Sequence, residues 1–273
     1  MTQRFAGRVV VVTGAGRARG LGAAIATRFA AEGASVVVAD LPDLPDGGAG
    51  IVAENIRLAG GIAFAALLEL LHEDSVERLI AAAVARYGRL DVLVNNAGIG
   101  NVMKPLLDTT KADFDRVIGV NLTGAFLCTK HAARQFIAQG PDASGIAGRV
   151  INIASQAAKT GFPHMAPYTS SKHGLIGLTR SAAVELGAHR ITVNAVCPNH
   201  VTTDLGAEQN AYFSKLMGFA SVDAYLANMR AKNPLGRPGL AADTANACAF
   251  LASDDAVYIT GEAMNVSGGE EMH

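Results

Sequence analysis

Residues 9 to 40 constrain the fold more than any other part of the chain. Val9 to Val12 is an unbroken run of β-branched residues that ends at Thr13-Gly14. A strand that is apolar on both faces belongs in a parallel sheet covered by helices on each side. The glycine-rich turn Gly14-Ala15-Gly16-Arg17-Ala18-Arg19-Gly20-Leu21-Gly22 follows, and residues 23–32 then read as a helix that Gly33 is placed to stop. Residues 36–39 form a second apolar strand, closed by Asp40. Strand, helix and parallel strand make one βαβ unit, whose crossover is expected to be right-handed.

The alternation continues. Residues 51–59 and 75–87 read as helices, and 62–68 as a strand, although its Ala and Leu content also fits a helix. A short strand at 92–94 precedes Asn95-Asn96-Ala97-Gly98. A long helical stretch covers 114–136, and helices are expected at 168–186 and 242–252. Strands are expected at 149–153, 192–196 and 263–266. About seven strands alternating with helices predict an α/β fold: a doubly wound (Rossmann) parallel sheet forming one domain over residues 1–273. Residues 41–50, rich in Pro, Asp and Gly, read as a loop. Residues 199–233 carry Tyr212, Phe213, Phe219 and Tyr225 and no strand signal. They follow the carboxyl end of a strand, where an open α/β sheet places a substrate lid; a surface helical pair is the alternative.

Composition narrows the function class. Half the residues are hydrophobic and 17% are charged, so a large core is available and disorder is not expected. Lys plus Arg is 23 against Asp plus Glu at 24, which leaves no basic footprint for nucleic acid. Cys128, Cys197 and Cys248 lie far apart with no CxxC spacing, against a disulfide framework or a cysteine zinc site. The first residues hold no apolar core of a secretory signal, and no apolar run is long enough to span a membrane. A soluble, cytoplasmic protein is expected, without a metal.

Between a strand and a helix, glycines let the backbone turn tightly and approach a pyrophosphate. The helix N-terminus offers free N–H groups and a partial positive charge to phosphates. Gly14, Gly16, Arg19, Gly20, Leu21 and Gly22 are therefore candidate dinucleotide contacts. Asp40 lies 26 residues after Gly14, at the end of the second strand. A carboxylate there can accept hydrogen bonds from both ribose hydroxyls of NAD(H). It repels the 2′-phosphate of NADP(H): two charges about 4 Å apart cost roughly 4 kcal/mol at a surface-like dielectric. Asp40 can instead simply open the following loop, and Arg17 or Arg19 can favour a 2′-phosphate. NAD(H) is the favoured reading, with NADP(H) second.

Tyr168 and Lys172 are four residues apart and share a helix face. Free tyrosine is a poor base at neutral pH, and a neighbouring ammonium favours its phenolate. Such a pair can move a proton during alcohol oxidation or carbonyl reduction.

With these motifs together, the chain resembles the short-chain dehydrogenase/reductase family over nearly its whole length. Residues 13–22 resemble the family's glycine-rich motif and Asn95-Asn96-Ala97-Gly98 its sheet-stabilising motif. Asn121, Ser155, Tyr168 and Lys172 match its catalytic tetrad, with Ser155 at the usual 13-residue distance before Tyr168. Asn194-Ala195-Val196-Cys197-Pro198 and Val201-Thr202-Thr203 resemble its cofactor-contacting segment. The resemblance implies Tyr168 as general acid/base and Ser155 as the donor that steadies the reacting oxygen. It implies that Lys172 lowers the Tyr168 pKa and holds the nicotinamide ribose, and that Asn121 links Lys172 to solvent through water. It places Asn95, Ala97, Gly98, Pro198, Val201 and Thr203 at the cofactor. It also implies a homotetramer built on the 114–136 and 168–186 helices and the last strand.

Three departures stand out. Five residues separate Gly14 from Gly20 where the family has three, so the loop is expected to bulge. After the third strand the family has an Asp for adenine; here the run is Leu68-Glu69-Leu70-Leu71-His72, and Glu69 is the substitute. The usual Pro-Gly is Pro198-Asn199. Around the reacting atoms, Ser155, Gln156, Tyr168 and His200 are the candidate substrate contacts. His164 is a further loop histidine that can line the pocket. A polar Gln156 suits a polyol, sugar or hydroxyketone. The leading expectation is an NAD(H)-dependent alcohol dehydrogenase or ketone reductase of a small substrate. The alternatives are an NADPH-dependent 3-oxoacyl-(acyl-carrier-protein) reductase and a non-catalytic NAD sensor.

Overall fold

A computed structural model describes residues 3–42, 44 and 48–272. Its frame is one seven-stranded, all-parallel sheet in the order β3-β2-β1-β4-β5-β6-β7. The strands are β1 (Val9–Thr13), β2 (Ser35–Asp40), β3 (Ile62–Leu67), β4 (Val92–Asn95), β5 (Gly148–Ile153), β6 (Ile191–Pro198) and β7 (Ala263–Val266). The order reverses at β1, whose neighbours are β2 and β4. In such sheets ligands bind outside the carboxyl ends of the strands at that switch point.

Helices cover both faces, and period-two alternation assigns the strand residues to them. Val10, Val12, Val36 and Val38 pack against α1 (Leu21–Ala31), α2 (Gly48–Leu58) and α9 (Ala241–Ala252) through Ile25, Phe29, Val52 and Leu251. Val9, Val11, Val37 and Ala39 face α3 (Glu73–Tyr87) and α5 (Gly124–Gln139) through Leu79, Ile80 and Phe136. Burial of each such aliphatic side chain contributes roughly 1.5–3 kcal/mol. The ambiguous third segment is a strand: at the sheet edge Ala63 is buried while Ile62 and Leu67 are exposed. Of the loop expected over 41–50, residues 43 and 45–47 lie outside the described residues, and Gly48 already begins α2.

The long helical stretch is longer than expected and interrupted. It runs as α4 (Lys111–Ile118), a π-helical turn (Gly119–Thr123) and α5. A π turn inserts one residue into the helix and re-aims the side chains around it. Here it carries Asn121, which is buried. The segment after β6 forms a helical pair, α7 (Asp204–Leu216) and α8 (Val222–Lys232). Its Phe213 and Tyr225 are buried with Met165 in a small separate cluster. The three cysteines are free and buried, and burial pushes the Cys128 thiol up to about 12.

A polar line crosses the carboxyl half of the sheet. Asn95 Nδ2 on β4 donates to Asn152 Oδ1 on β5 at 2.8 Å, and Asn152 Nδ2 donates to Thr179 Oγ1 at 2.8 Å. Thr179 lies on α6 (Ala166–Leu186). Breaking this line strands buried polar atoms. Asn152→Ala is expected to cost about 1–3 kcal/mol of unfolding free energy, read from urea titration.

Candidate active site

The glycine turn leaves β1 at Thr13. Thr13 Oγ1 accepts the backbone N–H groups of Asn96 and Ala97, both at 3.1 Å. Asn96 Nδ2 in turn donates to the carbonyls of Thr13 and Gly14 at 2.9 and 2.8 Å. Gly14 has φ +63°, and a Cβ on it would lie 2.5 Å from Ala97 Cα. A Cβ on Gly22 would lie 2.5 Å from both Asn96 Nδ2 and the Gly14 carbonyl. Only glycine fits either position.

The two extra residues of the loop bulge toward β2. Gly16 N–H donates to Asp40 Oδ2 at 2.6 Å, and Gly20 N–H closes a turn on the Arg17 carbonyl at 2.8 Å. Gly20 caps α1 without a side-chain hydrogen bond, so the first N–H groups of the helix are left for an anion.

A cleft of roughly 630 Å³ opens at the switch point. Its floor carries Gly14, Arg17, Gly20, Leu21, Ala97 and Gly98. Asp40, Leu68 and Glu69 border the end next to β2 and β3. Pro198 ends β6 and Val201 and Thr203 follow it, on the opposite side of the switch point. Ser155, Gln156, Tyr168, Lys172 and His200 stand at the other end. Gly16, Arg19, Gly22, Asn95 and Asn121 are not on the cleft wall. Gly16 and Gly22 shape the turn from behind, and Arg19 is exposed beside it. Asn95 belongs to the polar line of the sheet. His164 also lies off the wall: it has φ +63° and its Nδ1 pairs with the Tyr212 hydroxyl at 2.7 Å. Arg17, expected only as a partner of a 2′-phosphate, lines the cleft, and so do Leu68 and Asn96, for which no role was expected. Asn96 stood within the quoted motif, but its clamping of the turn needs the β1–β4 pairing to be seen.

At the Tyr168 end of the cleft, Ser155 faces the phenol and lowers its pKa, and Ser155 Oγ accepts the Ala157 N–H at 3.1 Å. Lys172 Nζ donates to the Ile153 carbonyl at 2.7 Å and sits 5.6 Å from the Tyr168 ring centroid. Asn121 Oδ1 accepts from Ile99 N–H at 2.8 Å, and its Nδ2 donates to the Ile99 carbonyl and to Ser171 Oγ. It thus fastens the loop after β4 to α6. A Cβ on Gly98 would come within 3.3 Å of Asn121 Oδ1 and 3.5 Å of Lys172 Nζ, so a bare backbone is what lets these groups approach.

Burial governs the electrostatics. It raises the Tyr168 pKa above the ordinary phenol value, opposed by Ser155. It lowers Lys172 to about 8. The expectation that the ammonium outweighs other effects at Tyr168 therefore differs from the balance in the free protein, where desolvation dominates. Outside the cleft lining, Glu73, Glu77 and His131 gather ligand atoms within 4.8 Å, but Glu73 already pairs with Lys130.

The family model described as enoyl-(acyl carrier protein) reductase matches residues 14–271. The chain belongs to the short-chain dehydrogenase/reductase family. It is 40% identical over 269 residues to the cis-4-hydroxycyclohexanecarboxylate dehydrogenase of Sinomonas cyclohexanicum, covering 98% of each chain. It is 38% identical over 262 residues to the 3-oxoacyl-[acyl-carrier-protein] reductase FabG of Staphylococcus aureus, covering 96% of this chain and 97% of that one. A solved NAD+-bound xylitol dehydrogenase superposes with a TM-score of 0.88 at 31% identity, covering 97% of this chain and all of the other. The protein is thus an oxidoreductase of a family that binds nicotinamide cofactors.

The depressed Lys172 value fixes a sign. Between pH 8 and 10 the unfolded chain keeps a proton on this amine that the folded chain has lost, so folding is favoured as pH rises through that window. Relative to Lys172→Met, the wild type is expected to gain about 2 kcal/mol of unfolding free energy from pH 7.5 to 9.5, measured by denaturant titration without cofactor.

Proposed function

We propose that the protein transfers a hydride between NAD(H) and a small secondary alcohol or ketone. One observation carries the reading: Ser155, Tyr168 and Lys172 open into the same cleft as the uncapped N-terminus of α1 and Asp40. That cradle suits a dinucleotide, because the positions that would crowd it are glycines. The bound nicotinamide supplies or accepts the hydride. The protein's own groups handle position and the proton.

Tyr168 takes the hydroxyl proton during oxidation and returns it to the carbonyl oxygen during reduction. Ser155, on the same wall of the cleft, donates to the reacting oxygen as its charge develops. Lys172 holds the nicotinamide ribose and, when charged, favours the phenolate. Asn121 positions the Ile99 loop and α6 around them, and water held beside it relays protons from Lys172. The phenol's raised pKa makes oxidation accelerate, and reduction slow, as pH increases. The apolar wall of Phe162, Met165, Phe213 and Met229 widens the expected polyol class to alcohols with an apolar body, with α7 and α8 serving as the lid. Exposed Phe126 and Ile137 on α5 and Val184 on α6 support burial of these helices in a homotetramer. Free buried thiols suit a reducing compartment such as the cytoplasm.

Tyr168→Phe is expected to lower kcat by about 10²–10⁴-fold while fluorescence titration still detects dinucleotide binding. Unchanged turnover removes Tyr168 from the mechanism, and an inactive wild type that still binds NAD(H) favours a sensor.

Arg17, which lines the same cleft as Asp40, with the FabG relative, supports a second reading: an NADPH-dependent 3-oxoacyl reductase. Asp40→Ala leaves Arg17 in place. It is expected to shift kcat/KM toward NADP+ over NAD+ by about tenfold or more. A wild type that already prefers NADP+ strongly selects the second reading.

A further inference from the structure

Beyond β7 the chain reverses through two glycines with positive φ, Gly268 at +64° and Gly269 at +90°. A side chain at Gly268 would strike Asn233, whose Oδ1 lies 2.6 Å from its ideal Cβ. The reversal brings two consecutive carboxylates, Glu270 and Glu271, within hydrogen-bond reach of Asn199 and Gln156. Each receives an amide from a residue on the cleft wall. Gln156 Nε2 donates to Glu271 Oε2 at 3.0 Å, and Asn199 Nδ2 donates to Glu270 Oε2 at 2.7 Å.

A carboxylate at neutral pH only accepts hydrogen bonds, so each pair fixes which way the amide is turned. The Gln156 nitrogen faces the acidic turn, and its oxygen is turned away from it. Gln156 directly follows Ser155 and shares its wall of the cleft. The group it presents toward the substrate is therefore biased to an acceptor, with a negative charge directly behind it. The same cleft carries an apolar patch, where Phe162, Met165, Phe213 and Met229 pack together.

We propose that the acidic C-terminal turn is a specificity element, with Glu271 as a positioning residue that sets Gln156 to select substrates carrying a neutral hydrogen-bond donor. The substrate class is a secondary alcohol or ketone with an apolar ring or chain and a second hydroxyl. A carboxylate in place of that hydroxyl is rejected, because it meets an acceptor backed by like charge. The inference deepens the hydride-transfer reading and rests on it for the identity of the reacting group.

Three ring alcohols test it: cyclohexanol as reference, cyclohexane-1,4-diol and 4-hydroxycyclohexanecarboxylate. The wild type is expected to favour the diol over the carboxylate in kcat/KM by about tenfold or more. In Glu271→Gln, which preserves shape and removes charge, that ratio is expected to fall about fivefold or more, with the loss on the diol appearing in KM. A wild type without the preference, or a variant whose three substrates change in equal proportion, overturns the proposal. The same order is read without turnover, by calorimetric binding of the two probes to Tyr168→Phe protein loaded with oxidised dinucleotide. If the diol binds more tightly there and no alcohol reacts with the wild type, the hydride reading fails and the specificity element stands. If the carboxylate binds as tightly or more tightly, the specificity element fails.

Discussion

Gly14 and Ala97 approach so closely that no side chain can stand between the ends of β1 and β4. A Cβ at Gly14 would meet Ala97 Cα, Cβ and N, all within 2.9 Å. This approach is what makes the switch point a cleft rather than a packed edge. It lets Asn96 clamp the turn, which aims the first N–H groups of α1 into open space. The second half of the site hangs from the same strands. Asn95 on β4 reaches Asn152 on β5, and Asn152 reaches Thr179 on α6, the helix that carries Tyr168 and Lys172. The glycine turn at one end of the cleft and the Tyr168–Lys172 helix at the other are thus registered through one set of buried hydrogen bonds.

Tyr168 and Lys172 are held in surroundings that favour neutrality. Desolvation raises Tyr168 and lowers Lys172, so neither ionised form is favoured by its surroundings alone. Low polarity also means that a charge entering the cleft acts with little screening. A cation placed beside the phenol there shifts its ionisation far more than it would in water. The Lys172 to Ile153 carbonyl bond keeps the amine from turning to solvent and holds it where that leverage exists.

The sequence made the frame readable because burial on both faces leaves a simple trace. Four consecutive valines in β1 and the alternation of strands and helices are enough to predict the sheet, and spacing alone puts Tyr168 and Lys172 together. Other features leave weaker traces. A π turn adds one residue to a helix whose periodicity continues on both sides, so residues 114–136 read as uninterrupted. The aromatics of α7 and α8 follow no clean helical stripe, because they pack against Phe162 and Met165 from a different segment. The fate of the longer glycine turn depends on Asp40, whose carboxylate captures the Gly16 N–H across the sheet. The amides that reach Glu270 and Glu271, from Asn199 and Gln156, stand 71 and 115 residues away, beyond any local pattern.

The same C-terminal turn also anchors the helical pair. Asn233, at the end of α8, donates to the Ser267 carbonyl at 2.8 Å, and Leu235 N–H donates to Gly268 at 3.3 Å. At the other end of that segment, Val201 bridges to Gly239, and Gly239 N–H returns to the His200 carbonyl at 2.9 Å. Both ends of the segment that contributes Phe213 and Met229 to the apolar wall are therefore tied near the exit of β6 and β7. The polar edge held by Glu270 and Glu271 leaves from the same place. Wall and edge share one base, so the separation between them is set by the backbone around residues 267–269 rather than by either helix. Replacing Gly268 would displace Asn233 and move both at once, whereas changing a carboxylate alters the edge and leaves the wall's anchor in place.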